Sequence, residues 1–272
     1  MAKPVPTIDH VVINVRDRMD DAQAAFERLG FALTPRGFHT LGSMNHLAMF
    51  GTDYLELIAA APGDTRRPEI LGSPEGLNGI VFATDDSAAV HREMEAAGVP
   101  ADPPGQFSRP VALADGPRDA VFRTVRLRPD AVPDGRLYFC HHLTRDLVWR
   151  DEWRHHPNGA VGVARAVVES AAPARWGDLL ARMFGADAVR DIPGGCRLAA
   201  GLTDIDVLLP GAVADALGPV APPPDGRADR MAALAFRTRS VDRAAEALAR
   251  GGVAGVRREP GRVAVPASAA FG

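Results

Sequence analysis

The sequence predicts an α+β fold built from four βαβββ units, and three observations point to it. A short apolar strand, a helix start signal and a helix that ends at a glycine recur four times along the chain. Shorter apolar runs, separated by turn residues, follow each of the first three helices. One helix for roughly four strands disfavours a doubly wound parallel sheet, in which nearly every strand needs its own crossover helix.

The four units begin with the apolar strands IDHVVINV, NGIVFAT, ARAVVES and AALAFRT. Their helices carry apolar residues at helical spacing, and Ser240 is a candidate N-cap for the fourth helix. The predicted helix ends are Gly30, Gly98, Gly185 and Gly251 or Gly252. The fourth unit runs into VAVPASAAFG where a last strand is expected, so this unit is either one strand short or completed by another segment.

A turn around Pro157–Gly159 separates the second unit from the third. Proline and glycine in such a stretch are typical of a boundary between periodic segments. We therefore expect an N-terminal domain over residues 1–157, with units 1 and 2, and a C-terminal domain over residues 158–272. The C-terminal domain holds units 3 and 4, the last of them truncated.

Composition excludes several classes of protein. A net charge of -3 and a pI near 6.2 give no electrostatic footprint for nucleic acid or anionic membranes. No apolar run approaches the roughly 20 residues of a transmembrane helix, and MAKPVPTIDH lacks the apolar core of a secretory signal. Cys140 and Cys196 are far apart, as expected for reduced thiols. We therefore expect a cytoplasmic protein.

The first strand holds a histidine among apolar residues. Strict alternation predicts His10 and Asn14 on one face of the sheet with Ile8 and Val12, and Asp9 on the opposite face. Burying a polar ring costs free energy unless the ring finds a partner. The partner of His10 must therefore come from another strand.

Glu56 is a candidate for that partner. In the last strand of the first unit, DYLELIAA, alternation places Glu56 on one face with Tyr54 and Ile58. If both strands turn these faces toward one concave surface, His10 and Glu56 converge as the start of a divalent metal site. The alternatives are a His10–Glu56 hydrogen bond without metal, or a histidine bound to a backbone carbonyl.

These motifs resemble the vicinal oxygen chelate superfamily, and specifically its glyoxalase-like branch. The unit that opens with IDHVVINV and closes with YLELI carries the likeness, and HTLGSMNHLAMFGTDYLELIAA is its most specific stretch. The segment RLYFCHHLTRDLVW, followed by HPNGAVG, also resembles a recurring part of that branch. The resemblance implies that the four units pair into two cupped, incomplete β-barrels with helices on the outer face.

The same resemblance implies a metal and a small molecule in the N-terminal cup. It assigns His10 and Glu56 as metal ligands, with Glu56 also serving as the catalytic base. The second unit departs from the family pattern, because its closing strand LYFCHHL lacks a carboxylate. We take His142 as the third ligand, with Cys140 on the cleft face as the alternative. The expected metal is Zn, Mn, Ni, Co or Fe.

Four residues are predicted to bind the substrate. Arg109, between an aromatic residue and a proline, could hold a substrate carboxylate bidentately, although an ordinary surface arginine is the alternative. Asn45 lies in the turn before the third strand, where hydrogen bonding to the backbone is the alternative role. Phe139 and Trp149 are expected in the core or in the wall of the cavity.

The function expected from the resemblance is binding of a small oxygenated metabolite in the N-terminal cup, with metal-dependent isomerase or lyase chemistry on vicinal oxygens. The alternatives are a metal-free binding or resistance-type protein, and a scaffold that forms homodimers through open sheet edges. An extradiol dioxygenase is disfavoured, because such four-unit enzymes keep their metal triad in the second half. Here the strands VGVARAVV and AALAFRT contain no ligand residues.

Overall fold

The computed structural model describes residues 3–113, 116–132 and 134–272. The first two units and the segment between them comprise β1 (Ile8–Asn14), α1 (Met19–Arg28), β2 (Gly37–Phe38), β3 (Ser43–Met49), β4 (Tyr54–Ala60), α2 (Pro68–Gly72), β5 (Gly76–Ala83), α3 (Ser87–Ala96), β6 (Gly105–Val111), β7 (Arg118–Arg126) and β8 (Arg136–His142). The other two comprise β9 (Ala160–Ser170), α4 (Pro173–Phe184), β10 (Val189–Ile192), β11 (Gly195–Ala200), β12 (Thr203–Leu208), α5 (Pro210–Leu217), β13 (Asp229–Thr238), α6 (Val241–Arg250), β14 (Arg257–Glu259) and β15 (Arg262–Ala264).

The N-terminal cup is one sheet shared by two units. Its strand order is β2-β3-β4-β1-β5-β8-β7-β6. Within each unit the first strand runs parallel to the last, β1 with β4 and β5 with β8, while β1 and β5 join the units antiparallel. This arrangement wraps eight strands around a concave face, which confirms the predicted α+β fold of paired βαβββ units.

The C-terminal half contains a second, smaller sheet with the strand order β10-β11-β12-β9-β13. The third unit supplies four of these strands in the same pattern, with β9 parallel to β12. The fourth unit adds β13, antiparallel to β9, and its helix α6 begins after Ser240, whose side chain accepts a hydrogen bond from the Arg243 N–H as predicted. Strands β14 and β15 form a separate hairpin.

The two faces of the first sheet have different roles. The outer face carries Val11, Leu55 and Ile80, which belong to the large apolar core that also includes residues of the C-terminal half. The inner face carries Val12 and Val81 and lines the cup. This division confirms the alternation predicted for β4, because Leu55 lies outside while its neighbours Tyr54 and Glu56 lie inside.

The alternation predicted for β1 is wrong at its first residues. The register of β1 against β5 shifts between Ile8 and His10, which is a β-bulge. Ile8 and Val11 therefore pack together in the outer core. Asp9 lies on the inner side, where it hydrogen bonds to His10 and to His142.

Of the two positions expected for Phe139, the core and the wall of the cavity, the structure shows the core. It is fully buried in the outer core, with its ring centroid 5.6 Å from that of Phe82 and 5.8 Å from that of Phe184. It therefore packs the sheet against α4 and does not line the cup. In the part of the chain that the structure describes, no helix is long and apolar enough to cross a membrane.

Candidate functional site

The inner face of the first sheet encloses a small cavity rich in polar side chains. The open space measures about 30 Å³. Its ionisable and hydrogen-bonding lining residues are His10, His39, Asn45, Tyr54, Glu56, Arg67, Arg109, Thr124, Arg126, Arg136, Tyr138 and Cys140. Such a concentration of charged groups inside a sheet is costly to bury. Clusters of this kind are typical of ligand-binding and catalytic sites.

His10 is held at the centre of this cavity by contacts on both ring nitrogens. Its Nδ1 lies 2.6 Å from Oδ1 of Asp9, and its Nε2 lies 3.1 Å from the hydroxyl of Tyr138. The imidazole stacks on Tyr54 with ring centroids 4.4 Å apart, and Nε2 is 3.6 Å from Glu56 Oε2. With Nδ1–H donating to Asp9, the lone pair of Nε2 faces the cavity and accepts from Tyr138.

Asp9 is an ionised carboxylate inside the protein. Burial by itself would raise its pKa, but the charge of His142 and the hydrogen bonds from His10 and His142 lower the pKa well below its usual range. His142 Nε2 lies 3.0 Å from the same oxygen, Oδ1, that His10 contacts. One carboxylate oxygen thus orients two histidines from β1 and β8.

Glu56 is the corresponding anion on the other side of His10. Asn45 Nδ2 donates a 2.7 Å hydrogen bond to Glu56 Oε1, and His39 Nε2 lies 4.0 Å from the same oxygen. Burial would raise the pKa of Glu56, but His10, His39 and the Asn45 hydrogen bond together lower it. Burial lowers the pKa of His39 to about 4, helped by the charges of Arg109 and Arg67, so this ring is neutral near pH 7.

Arg109 enters the cup from β6 and is only 3 % exposed. Its Nε and Nη2 atoms are buried and have no hydrogen-bond partner in the described part of the chain. These two N–H groups lie on one edge of the guanidinium, the edge that pairs with both oxygens of a carboxylate. The side chain passes close to Gly37, where an added Cβ would lie 2.8 Å from Arg109 Nη1.

Three further arginines line the cavity. Arg136 donates from Nε to Asn78 Oδ1 at 2.8 Å, while its buried Nη2 has no partner among the described residues. Arg126 lies over the Tyr138 ring, 5.8 Å from the centroid, and Arg67 donates to Ser43 Oγ at 3.4 Å. Burial lowers the pKa of Arg126 and Arg136, yet a guanidinium stays protonated in proteins.

A divalent metal at His10 and Glu56 does not fit the residues around them. The second unit contributes Asn78, which accepts from Arg136, and Tyr138, whose hydroxyl occupies the position beside His10 Nε2. His142 turns to Asp9 instead, so the ligand atoms of His10, Glu56 and His142 do not converge. Two protein ligands are fewer than metal sites of this type use, and the surrounding guanidinium groups oppose a cation.

The other residues predicted to bind substrate are distributed around the cup. Asn45 lines it and binds Glu56. Trp149 lies at one end, with its ring centroid 4.7 Å from His142 and 5.4 Å from Tyr54. Sequence analysis missed Tyr138, although the alternation of β8 places it on the same face as the two residues considered as ligands.

It also missed three cup arginines, Arg67, Arg126 and Arg136, and it did not assign His39 to the cup. For the arginines no sequence signal distinguishes a side chain that enters a cavity from one on the surface. His39 lies between β2 and β3, just before the turn motif GSMN, and its place in this connection was the available signal.

The paired units and the cup between them are those of the vicinal oxygen chelate superfamily. Within it the chain belongs to the glyoxalase-like domain family, whose model matches residues 8–184. A comparison with curated proteins gives no match.

Solved structures support the same fold. A hypothetical protein from Staphylococcus aureus is 14% identical with a TM-score of 0.59, over 75% of this chain and 86% of that chain. A triple mutant of 4-hydroxymandelate synthase from Streptomyces coelicolor is 18% identical with a TM-score of 0.57, over 95% and 78%. A xylose isomerase-like TIM barrel/4-hydroxyphenylpyruvate dioxygenase fusion protein is 17% identical with a TM-score of 0.59, over 93% and 40%. At such identities these likenesses concern the fold alone.

Proposed function

We propose that the N-terminal cup binds a small oxygenated metabolite that carries a carboxylate. The observation that supports this most directly is the unpaired edge of Arg109, with Nε and Nη2 both buried and without partners among the described residues. Leaving buried donors unpaired costs free energy, and a charged donor costs more. A bound carboxylate would accept both N–H groups in parallel and remove that cost.

The charge of the cavity favours an anion. Among the described residues that line it, four arginines face a single carboxylate, Glu56, and Arg67 also pairs with Glu69 outside the lining, which leaves Arg109, Arg126 and Arg136. Glu56 accepts a hydrogen bond from Asn45, and among the described residues no arginine lies within ion-pair distance of it, so it does not neutralise Arg109 directly. In a largely desolvated site this excess of positive charge attracts a carboxylate.

The cavity is small, with about 30 Å³ of open space. Outward movement of long side chains of the wall would enlarge it for a metabolite. Arg126 is the best candidate for this movement, because its residue is partly exposed. Arg109, by contrast, is buried and confined by the backbone at Gly37, which suits a residue that fixes the carboxylate.

Proton transfer on the bound metabolite is a second candidate function, and the contacts of His10 favour it. Asp9 orients the ring so that Nε2 faces the cavity and can accept a proton from a carbon next to a carbonyl group. Burial raises the pKa of Tyr138, so its hydroxyl stays protonated and can donate to the oxygen on which negative charge develops. This chemistry belongs to the isomerase and lyase classes, and no step of it requires a metal.

Calorimetric titration with 2-oxo and 2-hydroxy acids, each paired with its methyl ester, tests the binding proposal. We expect acids to bind and esters not to bind, in buffer with or without a chelator. The variant Arg109→Gln should weaken binding by about 100-fold or more, because two charge-assisted hydrogen bonds are lost. The matched control is Arg123→Gln on β7, an exposed arginine that contacts Gln106.

Equal binding of the esters, or full affinity in Arg109→Gln, would refute the proposal. Loss of affinity in Arg123→Gln would show a general effect of positive charge and would also count against it. Incubation of a bound acid in D₂O separates binding from proton transfer. Exchange of the proton next to the carbonyl group, lost in His10→Gln while binding persists, would support the second function.

A further inference from the structure

A second cluster of polar side chains lies at the end of the cup, next to the site described above. Among the described residues, Asp9, Cys140 and His142 each offer one ligand atom, and these atoms all lie within 4.8 Å of one another. Cys140 and His142 are two residues apart on β8 and therefore project to the same side of the sheet. The bulge in β1 turns Asp9 toward them.

The hydrogen bonds of this cluster leave a carboxylate oxygen unused. Asp9 is 1 % exposed, and its Oδ2 has no hydrogen-bond partner in the described part of the chain. Arg145 Nη1 lies 4.0 Å from Asp9 Oδ2, and the Arg145 side chain is half exposed. A buried anionic oxygen without a donor is costly, which indicates that a positive group belongs beside it.

The other two residues can complete such a site. Among the described residues no hydrogen bond to the Cys140 sulfur is found, so this sulfur can ligate an ion without breaking a hydrogen bond. His142 needs only to turn its Nε2 from Asp9 Oδ1 to a shared ion. Asp9 Oδ1 would keep the 2.6 Å hydrogen bond from His10 Nδ1, which fixes the carboxylate in place.

We propose that Asp9, Cys140 and His142 bind a divalent cation of the zinc class. One sulfur, one nitrogen and one oxygen ligand suit Zn²⁺ or Co²⁺, and three protein ligands leave a fourth position for water. On binding, the Cys140 thiol releases its proton to solvent and ligates as the thiolate. Cys140 also lines the cup, but the proposed site uses neither His10 Nε2 nor Glu56, and it does not depend on carboxylate binding at Arg109.

Titration of the metal-free protein with Co²⁺ alone tests the proposal, because thiolate ligation produces a sulfur-to-cobalt charge-transfer band. We expect one equivalent of Co²⁺ and this band in the wild type. Cys140→Ser should lose the band. The matched control is Cys196→Ser, since Cys196 is also buried but lies in the second sheet with its sulfur against Pro173 O. Asp9→Asn and His142→Gln should each weaken Co²⁺ binding by tenfold or more, because even the outer-shell partners of metal ligands are worth roughly 10- to 100-fold in affinity.

X-ray absorption at the zinc edge on the wild-type protein gives a test that needs no variant. One sulfur ligand together with nitrogen and oxygen ligands is expected. The proposal is overturned if neither Co²⁺ nor Zn²⁺ binds stoichiometrically, if only nitrogen and oxygen ligands are found, or if the cobalt band survives in Cys140→Ser. Loss of the band in Cys196→Ser would likewise assign the ligand elsewhere.

Discussion

Replacing Gly37 with alanine should weaken carboxylate binding without removing a charged residue. An added Cβ would lie 2.6 Å from Asn45 Oδ1, 2.8 Å from Arg109 Nη1 and 3.0 Å from Arg109 Cδ. These distances are well below normal van der Waals contact, so at least one of the two side chains must move. Gly37 does not have a positive φ, so its backbone accepts alanine and the perturbation acts through the side chains.

The size of the effect follows from these contacts. Overpacking a buried site by one methyl group costs about 1 to 3 kcal/mol of unfolding free energy. Displacing Arg109 from its bidentate position removes one charge-assisted interaction, which corresponds to about 1.5 to 3 kcal/mol or roughly 10- to 100-fold in affinity. We therefore expect a protein that folds, is slightly less stable and binds 2-oxo acids much more weakly.

Calorimetric titration together with urea unfolding measures both effects on one preparation. The matched control is Gly105→Ala on β6, where an added Cβ meets nothing within 4 Å. This variant should match the wild type in affinity and stability. The decisive outcome is a Gly37→Ala protein that shows the predicted loss of unfolding free energy but binds with wild-type affinity. This outcome would refute the idea that Arg109 holds the ligand from its present position.

Three other predictions concern stability and the assignment of residues. His39 has a pKa of about 4 in the folded protein and 6.5 in the unfolded chain. Between these pH values the unfolded state binds more protons, so the stability that the neutral His39 contributes is lost as the pH falls from 6.5 to 4. His39→Gln should reduce the slope of unfolding free energy against pH in that window, and an unchanged slope would contradict the assignment. Tyr138→Phe leaves His10 Nε2 without its 3.1 Å donor and should lower the free energy of unfolding in urea by about 1 kcal/mol. An unchanged free energy of unfolding would count against this contact. Phe139→Leu should lower the free energy of unfolding by about 1 to 2 kcal/mol through lost core packing and leave carboxylate affinity unchanged. A loss of affinity would instead indicate that Phe139 contacts the ligand.

Local patterns predicted much of the fold because they report on local physics. The alternation of YLELIAA correctly separated Glu56 from Leu55 and Leu57, since a strand exposes its residues to two faces in turn. Capping chemistry correctly placed the start of α6 at Ser240. The repeated strand–helix pattern predicted the βαβββ units, and the resemblance to the glyoxalase-like branch predicted how the first two units pair.

The same alternation failed where the chain departs from a regular ladder. The bulge near Asp9 depends on the register of β1 against β5, which are about 70 residues apart in sequence, and nothing in IDHVVINV signals it. Without the bulge Asp9 would lie in the outer core, and neither the orientation of His10 nor the cluster with Cys140 and His142 would exist.

By itself the sequence determined the class of fold, the faces of the regular strands and His10 and Glu56 as the unusual polar residues of the first unit. Only the tertiary structure decided what surrounds them. Arg109, Arg126 and Arg136 come from three different strands, and only Arg109 was a candidate from its own segment, while Arg126 and Arg136 look like surface arginines in theirs. Their convergence is a property of strand pairing over long sequence distances, because the charge of a cavity is a sum over residues that only folding brings together.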